Sequence, residues 1–233
     1  MKKIITTLIF VFLLNPIVFS QIYNYPIAGK QSHPELEIIQ IEITENNTII
    51  NLQVINKRDQ GAWFCADKNI YIKNSKGQEK YQLINSENIP TCPDQHEFKK
   101  INEILEFQLI FPKISDDIVF IDLIENCTNA CFSFSGIILD NNHNEKIRLF
   151  EKAFDLYRND NMKEAIPLFE KILNGKITIE SQIHGFSYYY LIDIYKSLEN
   201  TEKIIFWTEQ LKNSNLVDKN TFLKELENLG THL

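Results

Sequence analysis

The sequence predicts a two-domain chain: an antiparallel β-sandwich of about seven strands, then an α-helical domain of about five helices. Three observations carry that reading. From Glu35 to about Asp140, apolar and polar residues alternate with a period of two, the mark of strands that bury one face. After the polar tetrapeptide Asn141-Asn142-His143-Asn144 the apolar spacing lengthens to that of amphipathic helices. All four cysteines, Cys65, Cys92, Cys127 and Cys131, fall in the alternating part. A length of 233 residues accommodates two domains of ordinary size. With 44% hydrophobic and 24% charged residues, the composition is that of a folded globular chain rather than a disordered one.

In chain order, residues 1–20 are expected to be a secretory signal peptide. Met1-Lys2-Lys3 is a short basic start, and the apolar run from Ile4 continues to Phe19, the order of parts such a signal requires. Val18-Phe19-Ser20 suits cleavage before Gln21. Asn15-Pro16 interrupts the run, which falls short of the ~20 apolar residues a membrane span needs. No stable span is therefore expected after cleavage, and the mature protein is expected to be exported, periplasmic or secreted. Acidic residues outnumber basic ones 31 to 24, a net charge of −7, and losing Lys2 and Lys3 makes the balance more acidic. That sign argues against a nucleic-acid partner, whose affinity comes from neutralising phosphates.

Residues 21–34 read as an N-terminal arm and residues 35–140 as the sandwich. Leu36 and Ile38 lead into Ile39-Gln40-Ile41-Glu42-Ile43, Asn46-Asn47 turns the chain, and Ile49 to Ile55 alternates again. Further strands are expected at 62–73, 80–86, 104–111, 118–125 and 130–139. Gly61, Gly77, Pro90, Pro93 and the Ser115-Asp116-Asp117 turn punctuate them. Short strands with no helical segment between them indicate an antiparallel sandwich. An even cysteine count in an exported chain is most simply read as two disulfides. Three pairings are open; Cys65–Cys92 with Cys127–Cys131 is favoured, because Cys127-Thr-Asn-Ala-Cys131 would close a tight hairpin. A zinc site with His96 is the rival, at odds with the usual short-spaced ligand pairs.

Residues 141–144 read as the linker, with Asn144 available to cap a helix, and residues 145–233 as the helical domain. Ile147, Phe150, Phe154 and Tyr157 recur at helical spacing, as do Ala165, Leu168, Phe169 and Ile172. Asn174-Gly175 stops that second helix. Later helices are expected at 187–197, 202–212 and 219–229. Pro167 sits in the first turn of the second helix only if that helix starts near residues 163–165; otherwise it lies in the interior.

Two resemblances follow from these residues. Leu149, Ala153, Leu156, Ala165, Phe169 and Ile172, around the turn Arg158–Met162, resemble one tetratricopeptide repeat. Tyr188, Leu191, Ile192, Tyr195, Leu198, Ile204 and Leu211 resemble a second, with Ile192 and Ile204 where the family places small residues. That resemblance implies a concave face lined by the inner helices, bearing Phe150, Phe154, Tyr157, Phe186, Tyr189, Tyr190, Asp193 and Lys196. In the first half, Trp63, Asn69-Ile-Tyr-Ile72, Gly77, Tyr81, Ile89-Pro90, Phe107, Phe111-Pro112, Asp122–Glu125 and Gly136-Ile137 look like an Ig-like module of bacterial envelope proteins.

Motifs for chemistry are missing. The chain has no Gly-x-Ser-x-Gly, no H-E-x-x-H and no phosphate-cradling glycine loop, the signatures of common hydrolase, metallopeptidase and nucleotide sites. His33, His96, His143, His184 and His232 stand apart and are read as solvated. No catalytic residue, metal ligand or cofactor is expected. The expected function is that of a non-enzymatic interaction or scaffold protein, whose partner is a protein or peptide of the cell envelope. One alternative is a carbohydrate-binding sandwich with Trp63 as the sugar platform; another is a hydrolase using Asp116, Asp117, Asp122 or Glu125 at the sandwich rim. The aromatic helical face could instead be buried against the sandwich, because two repeats seldom stand alone.

Overall fold

The computed structural model describes residues 20–228 and residue 230. The expected signal segment through Phe19, and His232, lie outside the described residues. The β part contains β1 (Gln21–Asn24), β2 (Ala28–Gln31), β3 (Leu36–Ile43), β4 (Asn47–Ile55), β5 (Trp63–Phe64) and β6 (Ile70–Asn74). It continues with β7 (Lys80–Gln82), β8 (Asn85–Glu87), β9 (His96–Glu97), β10 (Ile104–Pro112), β11 (Phe120–Glu125) and β12 (Ser133–Ile138). Two five-stranded sheets run in the orders β1-β3-β4-β10-β8 and β2-β12-β11-β6-β7, and β5 pairs only with β9. Every pairing between these strands is antiparallel.

Alternation explains this core. Leu36, Ile38, Ile41 and Ile43 of β3 are all buried, yet the parity of their numbers changes after Ile38. The pairing register with β4 shifts between Ile38 and Gln40. That bulge absorbs one residue and returns the apolar side chains to the inner face. The β3–β4 turn is held by the Thr44 amide and hydroxyl, which donate to the Asn47 carbonyl at 2.8 and 3.0 Å. Ile50, Leu52, Ile72, Phe107, Leu109 and Leu123 meet between the two sheets with almost no exposure.

Where the strands differ from expectation, through-space partners are responsible. The N-terminal arm is not a free lead-in: β1 pairs with β3, and β2 pairs with β12 in the other sheet. The expected strand 62–73 is broken into β5 and β6. Cys65 turns aside to join Cys92, and the Asp67 carboxylate accepts the Asn69 amide at 2.7 Å, closing a turn in place of a ladder. The expected strand 80–86 divides because the chain changes sheets there. Leu83 N–H donates to Ile70 of one sheet, and Ile84 N–H to Ile110 of the other.

Both disulfides join the favoured partners, Cys65 with Cys92 and Cys127 with Cys131. No described cysteine is free. Two disulfides fit an oxidising, exported setting. Among the described residues no helix is long and apolar enough to cross a membrane.

Five helices follow: α1 (Asn141–Arg158), α2 (Met162–Asn174), α3 (Gln182–Ser197), α4 (Thr201–Asn213) and α5 (Lys219–Asn228). The tetrapeptide 141–144 read as a linker is the first turn of α1. Its cap is Asp140, whose carboxylate accepts the His143 amide at 2.8 Å, and not Asn144. The Asn144 side chain is buried and used elsewhere, donating to Ile138 O at 2.9 Å and accepting from Ile27 N at 3.2 Å. Asn141 donates to Ile22 O at 2.7 Å, and Arg148 donates to Tyr25 O. Four polar contacts thus fasten the start of α1 to the sandwich and its N-terminal arm. Because α2 starts at Met162, Pro167 lies beyond the first turn and leaves the Lys163 carbonyl without its usual donor.

α1 packs on α2, α2 on α3, α3 on α4 and α4 on α5, while α1 also meets α3 and α3 meets α5. Ala153 and Ala165, fully buried, let the first helix pair approach closely. The helical core, including Phe169, Ile172, Leu191, Ile194 and Leu211, is separate from that of the sandwich. α3 begins five residues earlier than its apolar period suggests, because Gly185 interrupts the pattern. A Cβ at Gly185 would lie 2.0 Å from the Phe222 ring, so the glycine is what seats α5 against α3.

His143 and His184 are not solvated: their exposures are 3% and 1%. Both rings lie near Lys146, itself buried, whose ammonium donates to Gly175 O at 3.1 Å and Lys176 O at 2.9 Å. Burial lowers the pKa of each histidine, and the Lys146 charge lowers it further; Asp140 opposes this at His143, and the Ser181 carbonyl and Glu180 oppose it at His184. A histidine held below its unfolded pKa contributes stability above ~6.5, which is lost as pH falls toward the folded value. Urea midpoints of the helical transition are therefore expected to fall between pH ~7.5 and ~5.5. His143→Asn with His184→Asn should flatten that slope, and an unchanged slope in the double variant would assign the effect to other groups.

Candidate functional site

The residues expected on the inner helical face do come together. On α1, Phe150 and Phe154 stack at 6.1 Å and Phe154 and Tyr157 at 6.5 Å between ring centroids. Across to α3, Tyr190 lies 5.1 Å from Phe154 and 4.9 Å from Tyr157. Tyr189 meets Tyr190 edge-on at 5.3 Å. Phe186, 37% exposed, continues the row and meets Phe222 of α5 at 5.0 Å. The helical spacing of Phe150, Phe154 and Tyr157 on α1 and of Phe186, Tyr189 and Tyr190 on α3 puts these rings on facing surfaces, while Tyr188 turns to Trp207 of α4.

Polar groups edge this face. The Tyr157 hydroxyl donates to the Asp193 carboxylate at 2.7 Å. Burial, then the Asp193 hydrogen bond and charge, raise the Tyr157 pKa well above that of a free phenol. Burial and Asp193 likewise raise those of Tyr189 and Tyr190. All three phenols stay protonated donors at neutral pH. The Arg158 guanidinium lies 5.8 Å from the Phe154 ring, within cation–π range. Lys196, half-buried, sits at the C-terminal end of α3. Phe169 of α2 and Phe222 of α5 also meet the row, and among the described residues its buried apolar neighbours belong to the helices. The helices make a core separate from that of the sandwich, and among the described residues the hydrogen bonds between helices and sandwich come from α1, so the described contacts do not bury this face against the sandwich.

The acids considered for a rim hydrolase all have structural partners. Asp122 Oδ1 accepts from Ser75 Oγ and Gly136 N at 2.7 and 2.8 Å. Asp116 pairs with Lys113 at 2.9 Å, and Asp117 accepts the Ser115 hydroxyl. Glu125, 7% exposed, accepts the Asp67 amide at 2.8 Å and the Phe132 amide at 3.0 Å. Burial raises its pKa, and the two amides oppose that. Among the described residues no group of three or more His, Cys, Asp or Glu side chains is placed to hold a metal.

The sandwich holds a cleft that has no counterpart in the sequence pattern. A cleft of about 720 Å³ opens at one end of the sandwich, beside both disulfides, with Trp63, Phe64 and Phe98 among its walls. Trp63 is 46% exposed. Cys65–Cys92 ties the segment after β5 to the segment before β9. Ala66 and Cys92 add backbone hydrogen bonds across the same gap. The sequence offers Trp63 as a candidate platform without showing its exposure, and a cleft between loops has no sequence period.

Comparison with protein-family models, curated proteins and solved structures finds no match to this chain. The fold therefore defines its class: a disulfide-bonded, two-domain β-plus-helical protein with a half-buried aromatic face on its helices.

Proposed function

We propose that this protein is an exported, non-enzymatic interaction protein whose helical domain captures an apolar or amphipathic peptide segment of an envelope protein. The observation that carries the reading is the row of six rings from Phe150 to Tyr190, brought together by two helices yet only partly buried. An aromatic face of this kind suits a helix-in-groove or extended-peptide partner, and rigid rings bind with little side-chain entropy to lose.

The finer identities of both domains belong to the same proposal. The strand order supports an Ig-like sandwich: β3, β4, β10 and β8 match the A, B, E and D positions, and β7, β6, β11 and β12 the C′, C, F and G positions. β1 and β2 would then be additions at the two edges. The helix neighbours support two tetratricopeptide-like pairs with α5 as a closing helix, because α1, α3 and α5 lie side by side.

The test is selection of a displayed library of 15-residue peptides on the full-length exported protein. Enriched peptides are expected to bind Phe154→Ala and Tyr189→Ala variants at least about tenfold more weakly, a loss of ~1.4 kcal/mol. Failure to enrich any peptide, or undiminished binding by both variants, would reject the helical face as the site.

A further inference from the structure

We propose that the cleft beside Trp63 is a second, independent binding site, for a neutral oligosaccharide. Its size, about 720 Å³, lies in the range of sites for small ligands. Its walls are set before any ligand arrives. One disulfide clamps the loop beyond Trp63, and the other closes the β11–β12 turn. Between them the buried Glu125 carboxylate accepts the amides of Asp67 and Phe132 at 2.8 and 3.0 Å. Segments crosslinked in this way leave little loop entropy to lose on binding.

The mixed sign of the lining selects the ligand. The carboxylates of Glu35, Asp67 and Glu125 line the cleft together with the cations of Lys57 and Arg58. Among the described residues none of these five forms an ion pair. Asp67 and Glu125 already accept backbone amides, but a carboxylate has about four lone-pair sites and keeps some to spare. A ligand of either charge sign therefore meets like charge within the same walls. An uncharged hydroxyl meets none: its hydrogen donates to a carboxylate, and its oxygen accepts from an ammonium or guanidinium. Gln95 and Asn129 add planar amides, each able to donate and accept. Trp63, 46% exposed, supplies the apolar part, a flat indole that suits the C–H face of a pyranose. A sugar ring thus uses the platform with one face and the mixed lining with its rim. A nucleobase or a peptide could also stack on the indole, but neither carries adjacent hydroxyls around one ring.

The two tryptophans make the test direct. Trp207 is 5% exposed, so acrylamide quenching of the native exported protein reports chiefly on Trp63. The probes are three neutral hexamers: cellohexaose, mannohexaose and chitohexaose. The comparisons are hexagalacturonate for an anion, a chitosan hexamer for a cation, adenosine for a nucleobase and a proline-rich decapeptide. At least one neutral hexamer is expected to bind saturably and to shield Trp63 from acrylamide. Its affinity should stay within about twofold as salt rises from ~20 to ~200 mM, because the ligand carries no charge to screen. By calorimetry, Trp63→Ala should weaken it about tenfold or more. Trp63→Phe, which keeps a ring in β5, should weaken it measurably but less, and serves as the test if Trp63→Ala does not fold. Phe154→Ala should leave it unchanged, so this site and the helical face stand or fall separately. Failure of all three neutral hexamers to bind, equal or tighter binding of any comparison, a steep salt dependence, or affinity untouched by the Trp63 substitutions would overturn the proposal.

Discussion

Phe169→Ala is expected to destabilise the helical domain by about 3–5 kcal/mol, the usual cost of removing a buried aromatic ring. Phe169 has no exposed surface and meets Phe150 and Tyr190 at 6.0 Å each. It lies beneath the aromatic row and supports it from α2. A loss of that size is a large part of the ~5–15 kcal/mol that holds a typical domain folded. Because the helical core shares no buried apolar residue with the sandwich, the damage should stay local. Urea unfolding followed by helical circular dichroism should shift strongly, while the sandwich transition keeps its midpoint. Phe154→Ala is the contrast. Its ring is only partly buried, so the expected cost is about 1 kcal/mol. Equal losses for the two substitutions would make the row a core layer and remove its claim to be a binding face.

Replacing Cys65 and Cys92 together by alanine is expected to cost the sandwich about 3.5 kcal/mol, against about 2 kcal/mol for the Cys127 and Cys131 pair. The first bond spans 27 residues and the second 4, and a crosslink removes more freedom from the unfolded chain as the loop it closes grows. The longer bond also lines the cleft beside Trp63, so its removal should increase acrylamide access to that ring even where the protein remains folded. Denaturant midpoints of the two double variants, measured beside the parent, give the comparison. A native parent with titratable thiols, or a larger loss from the short loop, would contradict it.

These expectations differ in how far they could be read from the chain alone. The periodicity change near Asn141 separates strands from helices, and Phe150, Phe154 and Tyr157 on one helix and Phe186, Tyr189 and Tyr190 on another are each legible as one face because helical geometry fixes which residues lie side by side. The disulfide partners were readable from spacing for Cys127 and Cys131, and by remainder for Cys65 and Cys92. The β1 and β2 strands were not legible. Their residues show little alternation, and they are strands only because β3 and β12 offer them edges. Nor was the role of Asn144, whose amide looks like a helix cap until the carbonyl of Ile138 and the amide of Ile27 are found on either side of it.

The same contrast applies at the histidines and at the cleft. Charge and hydropathy along the chain describe His143 and His184 as polar residues near turns; only the fold sets both beside the buried Lys146 ammonium and removes them from water. Trp63 is visible in the sequence, whereas the cleft beside it exists because Cys92, Glu125 and Asn129 arrive from distant segments. Local order follows from the chain, since a strand or helix period depends on which neighbouring residues avoid water. Which faces meet, which polar groups lose their hydration and where a concavity opens depend on long-range contacts, and these have no period along the sequence.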